Sequence, residues 1–454
     1  MTLFGVIFLG ILVILLFQPY RYIVGTLVIV CPFMVTSVAS FGDKYIQPYL
    51  LCEVFVVIKS VIVILGDSNF QIRNCKPLYI YLLLFVLYCI FVTIIGPNLF
   101  DGMEVVGKNL DDSYINGYMK LHFSIDNVTQ LGYLILNIST LLCILLLRKN
   151  IGLLFIRKTF VFSILVTIAL GYWEFIAKIT GLVSFPMDFL MEGKGSSLYI
   201  ATVNGYFRMS ALCTESSTFG AFIASAFWAI AIMDKRWFHY ILLIAIIGAL
   251  VLSMSGTGFV TFGFGLLLLL YQKGVSLKYL CCLAILCLSF YIATEYIEIF
   301  GSIYKLLAEK SESQSGQVRY NVSLMSIMIF LKSVGFGIGL GSTRSSSFIL
   351  DILAQIGLVG TFLLAYIYKF LIIDLKTKRQ TLWIFFYSFV LLFAQAIAEP
   401  DFSFSFFWLG LFMAGVCFQR YKLNLWNIVW ASIVLRRLRQ EKMFKLKMSK
   451  DFSD

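Results

Sequence analysis

Long apolar runs separated by short polar segments constrain this chain more than any other feature. A helix needs about 20 apolar residues to cross a bilayer, and runs of this order recur along most of the sequence. Only 13% of the 454 residues are charged, about half the share in soluble domains. The runs lack the short alternating pattern of an outer-membrane barrel, and backbone groups in lipid must bond internally. The sequence therefore predicts an all-α polytopic integral membrane protein.

The apolar runs divide into about 12–13 membrane-spanning helices of the length a bilayer requires. The first run has no basic segment or small-residue cleavage site, so we interpret it as a retained span and not a signal peptide. The predicted spans lie near residues 2–18, 22–41, 49–66, 77–96, 129–147, 158–179, 217–233, 239–254, 257–272, 277–295, 346–374, 381–398 and 403–419.

Lysine and arginine in short loops indicate which side of the membrane each loop faces. Basic loops at 148–158, 234–236, 272–278 and 374–379 predict one cytoplasmic face. The segment 420–454 is also basic, which predicts a cytoplasmic tail following a transmembrane domain over residues 1–419. The tail is either an amphipathic helix on the anionic inner leaflet or a charge cluster that fixes topology. Long outer loops remain at about 97–128, 180–216 and 296–345, and loops of this length are usually functional.

Three arginines lie on the predicted outer side, against the usual bias: Arg208, Arg319 and Arg344. A guanidinium binds phosphate in a bidentate manner and stays charged. Three of them around one pocket would hold a diphosphate. The alternative is that each arginine pairs with a nearby carboxylate, namely Glu215, Glu312 or Asp351.

Two glycine-containing segments accompany these arginines. SVGFGIGLGSTRSSSF (333–348) either presents backbone N–H groups to a ligand or allows close helix packing. SMSGTG (253–258) is a tight turn between two short spans, where its small residues either admit a lipid-linked substrate or serve as ordinary turn residues.

Three landmarks occur in order: RMSALCTESSTFGAF (208–222), LVLSMSGTGFVTF (250–262), and VRYN (318–321) followed by SVGFGIGLGSTRSSSFILDILAQIGLVGTFL (333–363). Over residues 205–370 the chain resembles the superfamily of O-antigen polymerases (Wzy-type) and O-antigen ligases. The resemblance implies a GT-C-like glycosyltransferase of the bacterial inner membrane with large periplasmic loops. It implies that a growing glycan passes from undecaprenyl diphosphate to a new lipid-linked repeat unit.

The chain departs from this family at two places. Thr257 stands near the position where the family's serine-rich turn usually has an arginine. Ligases usually have a histidine just before the span that follows the glycine segment, where this chain has SSSF (345–348). The second departure favours a polymerase over a ligase, and it leaves the general base open.

The resemblance and the charges together assign roles to six residues. Arg208, Arg319 and Arg344 would stabilise the negative charge that develops on the leaving diphosphate. Glu215 is the first candidate for the base that accepts the proton of the sugar hydroxyl, ahead of Glu399 and Asp401. We expect no cofactor, no metal and no nucleic-acid partner. The expected partners are the undecaprenyl-diphosphate-linked oligosaccharide, the bilayer and a chain-length regulator.

Two other functions remain open from the sequence. An O-antigen-type ligase would share the donor and differ in the acceptor. A flippase or other transporter would carry no chemistry and would place charges inside its spans, as Glu53, Lys59, Glu174 and Lys178 are placed here. Glu174 and Lys178 are four residues apart and can pair on one helix face.

Overall fold

The computed structural model of the chain is mostly helical, with three small hairpins and no larger sheet in the part it describes. The described residues are 1–41, 44–66, 76–107, 117–181, 185–190, 202–203, 206–233, 236–273, 314–398 and 401–418. The predicted span 277–295 and the predicted tail 420–454 therefore lie outside the described residues.

The helices follow the apolar runs of the sequence. In chain order they are α1 Leu3–Phe17, α2 Tyr20–Val30, α3 Pro48–Gly66, α4 Lys76–Leu99, α5 Ile125–Leu147, α6 Leu153–Thr180, α7 Met187–Leu190, α8 Ser216–Ile232, α9 Trp237–Ser253, α10 Gly256–Lys273, α11 Gln314–Lys332, α12 Phe348–Leu371, α13 Leu382–Ala398 and α14 Ser405–Cys417. The antiparallel hairpins pair β1 Ala39–Phe41 with β2 Lys44–Ile46, β3 Glu104–Val106 with β4 Tyr118–Lys120, and β5 Thr202–Val203 with β6 Tyr206–Phe207.

Every predicted span that falls within the described residues contains one of these apolar helices. Among the described residues, five helices are long and apolar enough to cross a bilayer: α3, α4, α5, α6 and α12. The same part of the chain contains seven shorter apolar helices of 10–17 residues. The membrane-protein class predicted from composition is therefore confirmed at the level of apolar spanning helices.

The predicted span 22–41 is wrong in its second half. Helix α2 ends at Val30, just before Pro32, whose ring nitrogen has no hydrogen to donate. The backbone N–H groups of Met34 and Val35 donate instead to the carbonyl of Leu212, at 2.9 and 3.1 Å. The apolar run thus continues past the helix as irregular chain. Irregular backbone is tolerated within a membrane where protein surrounds it.

Helix α8 lies at the centre of the bundle. Fourteen of its residues are buried, and its neighbours include α9, α10 and α13. On one side Phe222 stacks on Phe406 of α14 with ring centroids 4.2 Å apart. On another side Gly220 meets the start of α10, where a glycine at 258 permits close approach. Small residues at such contacts allow two helix backbones to pack tightly.

The segments predicted for the outer face gather at one end of the bundle, which we call the loop end. Asn127 Nδ2, at the start of α5, donates to the carbonyl of Leu340 at 2.7 Å. Ser347 Oγ, just before α12, donates to the carbonyl of Ala396 near the end of α13 at 2.6 Å. Residue Leu212, before α8, is bonded to the chain that follows α2. The described parts of the long predicted loops are thus joined to one another and to the helix ends.

We expect Gly220→Ala to destabilise the protein, because an added Cβ would lie 2.7 Å from the Cβ of Ser255. Overpacking of this kind costs about 1–3 kcal/mol. Thermal unfolding in detergent would measure the loss. The matched control is Gly10→Ala in α1, where an added Cβ meets nothing within 4 Å and alanine is the better helix former by up to about 1 kcal/mol. Equal unfolding temperatures for the two variants would contradict the α8–α10 packing.

Candidate functional site

The segment from Arg208 to Glu215 lies at the loop end and leads directly into α8. Its middle is buried: Met209 and Ala211 have no exposed surface, and Leu212 has 1%. The backbone N–H of Met209 donates to the carbonyl of Leu252 at 3.0 Å, which holds the segment against the end of α9. The two polar ends, Arg208 and Glu215, are the parts of this segment that are presented toward solvent.

The buried carboxylate of Glu174 in α6 holds this segment in place through hydrogen bonds. Its oxygens accept hydrogen bonds from the N–H of Ser210 at 3.3 Å, the hydroxyl of Ser210 at 3.0 Å and the N–H of Ala211 at 2.5 Å. The ammonium of Lys178, one turn further along α6, lies 2.6 Å from the same carboxylate. Ala211 has φ of 49°, a conformation that non-glycine residues rarely adopt. Glu174 therefore holds a turn whose backbone groups would otherwise be buried without a partner.

The Arg208 guanidinium is half-buried and contacts the turn after α9. Its Nε and one Nη donate to the carbonyls of Ser253 and Met254, both at 3.2 Å. A guanidinium has five N–H donors. The donors of Arg208 that do not take part in these two bonds form no hydrogen bond within the described residues. Burial lowers the pKa of Arg208, and the charge of Glu215 opposes that shift. The arginine is thus a fixed positive charge with donors to spare.

Glu215 is the N-cap residue of α8 and is exposed. Its Oε2 accepts a hydrogen bond from the hydroxyl of Ser217 at 2.9 Å. Within the described chain no ion pair joins Glu215 to Arg208, although the two charges interact through space. The pairing alternative for Arg208 therefore reduces to a charge interaction, which leaves the carboxylate of Glu215 accessible.

The structure brings the second sequence landmark to the first. The turn at 253–256 supplies the two carbonyls that Arg208 contacts. Ser255 Oγ accepts from the N–H of Gly258 at 3.0 Å and so caps the first turn of α10. Met254 has φ of 44°, which lets the chain reverse between α9 and α10. The small residues of SMSGTG thus serve the turn, and Thr257 is buried within it.

Arg319 and Arg344 belong to a second group at the loop end. Arg319 is half-buried on α11, and its backbone carbonyl accepts from the hydroxyl of Ser346 at 2.9 Å. Arg344 is exposed two residues before Ser346, and its N–H donates to the carbonyl of Val106 in β3 at 3.3 Å. In the part of the chain that the structure describes, neither guanidinium has a hydrogen-bond or ion-pair partner. The suggested partner Glu312 lies outside the described residues.

The other suggested partner, Asp351, is engaged elsewhere. It is 3% exposed, and its Oδ1 accepts from the N–H of Ser345 at 3.0 Å. Its Oδ2 accepts from the side-chain amide of Gln355 at 2.6 Å. The same Gln355 accepts from the N–H of Gly341 at 2.7 Å. Asp351 and Gln355 therefore stabilise the loop that carries Arg344.

The glycine segment packs against helices, and its N–H groups are used within the protein. Gly335, Gly337, Gly339 and Gly341 all have positive φ. The N–H groups of Ile338, Gly339, Leu340 and Gly341 all donate to protein acceptors in α12 or α4. A Cβ added at Gly341 would lie 2.6 Å from the carbonyl oxygen of Asp126 in α5. Of the two interpretations open from the sequence, close packing is the one these contacts support.

Of the two remaining candidate bases, the structure describes only Asp401. Asp401 is exposed before α14, where its Oδ1 accepts from the N–H and the hydroxyl of Ser403 at 2.9 and 2.8 Å. The carbonyl of Ser403 accepts from the hydroxyl of Tyr49 in α3 at 2.7 Å. Glu399 lies outside the described residues. Asp401 therefore caps a turn at the loop end, apart from the Arg208 segment.

One histidine lies closer to the second arginine group than its position in the sequence indicates. His122 is exposed just after β4, with its Nδ1 2.5 Å from Asp101 Oδ1. The adjacent Leu121 belongs to a buried cluster with Met325 of α11 and Ile338 of the glycine segment. The pairing of β3 with β4 produces this proximity. Strands of only three residues leave no recognisable pattern in the sequence, so the pairing could not be predicted.

The five predicted site residues that the structure describes thus fall into three places at the loop end, and the sixth, Glu399, lies outside the described residues. Arg208 and Glu215 share one segment, Arg319 and Arg344 share another group, and Asp401 stands apart. Within the described residues no hydrogen bond or ion pair connects these places, and no cluster of three metal-ligating side chains is found there. The functional residue that sequence reasoning missed is Glu174, which it treated only as the partner of Lys178.

Comparison with known proteins adds no relative to this picture. No protein-family model, no curated protein and no solved structure matches the chain.

Proposed function

We propose that the protein is a membrane-embedded glycosyltransferase that polymerises oligosaccharide repeat units carried on undecaprenyl diphosphate, at the periplasmic face of a bacterial inner membrane. The observation that carries this proposal is the placement of Arg208 and Glu215 at the two ends of one buried segment. A fixed cation with unused donors and an exposed carboxylate thus lie at the loop end. In this proposal a lipid head group meets a sugar hydroxyl there.

The chemistry requires charge stabilisation and one proton transfer. The acceptor hydroxyl attacks the anomeric carbon of the donor glycan, a new C–O bond forms, and the C–O bond to the diphosphate breaks. Glu215 accepts the hydroxyl proton, and the electron pair of the broken bond leaves with undecaprenyl diphosphate. Arg208, together with Arg319 and Arg344 of the second group at the loop end, stabilises the negative charge that develops there. No step in this scheme requires a nucleotide sugar.

A ligase remains the second candidate because of His122. A ligase resembling the known family would need a histidine near the glycine segment, and the β3–β4 hairpin carries His122 and Asp101 to the region of Ile338 and α11. The two functions differ only in the acceptor, so the acceptor must decide between them.

The deciding experiment supplies purified protein in detergent with synthetic undecaprenyl-diphosphate repeat units and no other acceptor. A polymerase converts them into a ladder of products on a gel and releases undecaprenyl diphosphate. A protein that binds the cognate repeat unit but makes no ladder, and then transfers the glycan once when a lipid A core acceptor is added, is a ligase. Binding without transfer to either acceptor would overturn both assignments.

We expect Glu215→Gln to lower the rate of ladder formation by about 10²–10⁴-fold, because the amide cannot accept the hydroxyl proton. Substrate binding should change little, since the amide keeps the size of the carboxylate and its bond with Ser217. The matched control is Glu104→Gln, which removes an exposed carboxylate at the same end of the bundle. An undiminished ladder from Glu215→Gln would exclude it as the base and direct attention to Asp401 and Glu399.

A further inference from the structure

Helix α3 carries a buried carboxyl group that the proposed reaction does not use. Glu53 has no exposed surface, and neither of its side-chain oxygens has a hydrogen-bond partner in the described structure. The nearest basic residue of the helix, Lys59, donates to the carbonyl of Leu16. Neither carboxyl oxygen of Glu53 has an ammonium or guanidinium partner within the described residues. An ionised carboxylate in this position would be very costly, and such groups usually become neutral.

The register of α3 against α5 shows what faces Glu53. Tyr49 interacts with Tyr133, and further along the same two helices Ser60 contacts Cys143. The two helices therefore run in the same direction, with an offset that changes by only one residue between the two pairs. Glu53 is four residues after Tyr49, about one turn, and Asn137 is four residues after Tyr133. Glu53 and Asn137 are thus at one level on the facing sides of α3 and α5.

Asn137 presents an oxygen at this level. Its Nδ2 donates to the carbonyl of Tyr133 at 2.8 Å, which fixes the orientation of the amide. Its Oδ1 is buried and has no partner in the described chain, and the hydroxyl of Thr140, one turn further along, is in the same condition. A carboxylate and an amide oxygen are both acceptors. They can form a hydrogen bond only if a proton lies between them.

We propose that Glu53 and Asn137 form an intramembrane proton-binding site, in which Glu53 is a neutral carboxylic acid that donates to Asn137 Oδ1. The proton satisfies two acceptors that are otherwise buried without a partner, and it joins α3 to α5. Glu53 lacks the cation and the N–H donors that surround the Glu174 carboxylate in α6. In this proposal Glu174 is therefore ionised and Glu53 is neutral.

The groups around the site connect it to the loop end, so gain or loss of the proton would affect residues there. The titratable neighbours are Tyr49 and Cys52 on α3, Cys31 at the end of α2 and Tyr133 on α5, and none of them supplies a positive charge. One turn above Glu53, the Tyr49 hydroxyl donates to Ser403, whose N–H and hydroxyl are held by Asp401. Loss of the proton would place an uncompensated charge directly beneath this contact.

Infrared spectroscopy tests the charge state directly. We expect the difference spectrum of wild type and Glu53→Gln, in detergent at neutral pH, to contain the carbonyl stretch of one protonated carboxylic acid. Glu53→Gln should fold, because its amide N–H₂ can donate to Asn137 in place of the acid. Asn137→Leu should shift that band to higher frequency, since the acid loses its hydrogen-bond acceptor. Carboxylate bands in place of the acid band, or an unshifted band in Asn137→Leu, would overturn the proposal.

Labelling with dicyclohexylcarbodiimide gives an independent readout by mass spectrometry. The O–H of a protonated carboxyl adds across one C=N bond of the reagent, and the acyl group then migrates to nitrogen, so a stable acylurea forms and nothing leaves. We expect an adduct at Glu53 and none at Glu174. Lys178→Gln, which removes the cation beside Glu174, is the positive control for reagent access to a buried glutamate. Labelling of Glu174 in that variant without labelling of Glu53, or protection of Glu53 by Na⁺, would contradict a proton site.

Discussion

Replacement of Arg208 by alanine is expected to abolish ladder formation, with a fall in rate of about 10²–10³-fold, the usual cost of removing one preorganised charge from a transition state. The guanidinium is held at its base by the carbonyls of Ser253 and Met254, both at 3.2 Å, and its other donors have no partner in the described chain. That geometry holds the charge in place before the substrate arrives. Arg208→Lys should recover only part of the rate, because an ammonium lacks the planar fork.

The control for this prediction is Arg379→Ala, which removes an exposed arginine from the loop between α12 and α13. It should leave the ladder unchanged. Thermal unfolding of Arg208→Ala should be measured beside the rate, since the variant also loses two hydrogen bonds to the turn after α9. A full ladder from a folded Arg208→Ala protein would exclude Arg208 from the diphosphate site. The proposed function would then depend on Arg319 and Arg344.

The apolar helices could be predicted from the sequence because lipid imposes one length and one composition on every span. Helix α6 begins and ends within a few residues of the predicted span 158–179. The predicted span at 22–41 was wrong in its second half because hydropathy indicates burial and not helix formation. Its second half is as apolar as a span, yet the backbone N–H groups of Met34 and Val35 bond to the carbonyl of Leu212, far away in the sequence, instead of continuing the helix.

The candidate site could be predicted only as a set of residues. Charge bias identified Arg208, Arg319 and Arg344, because arginine outside the predicted cytoplasmic loops is unusual. Their grouping depends on contacts between distant segments, such as the bond from Ser346 to the Arg319 carbonyl and that from Arg344 to Val106. The glycine segment shows the same limit. Its composition is compatible with anion binding, but its N–H groups donate within the protein.

Glu174 has one contact that the helix spacing predicts and others that only the tertiary fold produces. The spacing to Lys178 predicts an i,i+4 pair, and the structure confirms it at 2.6 Å. The larger role of Glu174 comes from the N–H groups of Ser210 and Ala211, which approach it from 36 and 37 residues away. Two charges that would fit a transporter therefore belong to the support of the Arg208 segment.

Replacement of Glu174 by alanine is accordingly the second large effect we expect. It removes the carboxylate that faces the Lys178 ammonium, which is 9% exposed, and it leaves the N–H of Ala211 buried without the acceptor it has in the wild type. Removing one member of a buried ion pair costs about 3–5 kcal/mol. We expect a lower unfolding temperature in detergent and the loss of ladder formation, because the turn that orients Arg208 and Glu215 is no longer held.

Two further variants separate the ion pair from the support of the segment. Glu174→Gln with Lys178→Met removes both charges and keeps an oxygen that accepts from Ser210 and Ala211. If Glu174 acts by positioning the segment, this double variant should recover most of the stability and part of the ladder. Lys178→Met alone keeps every bond from Glu174 to the segment, so it should retain more activity than Glu174→Ala. Full activity of a folded Glu174→Ala protein would show that the segment keeps its geometry without this carboxylate.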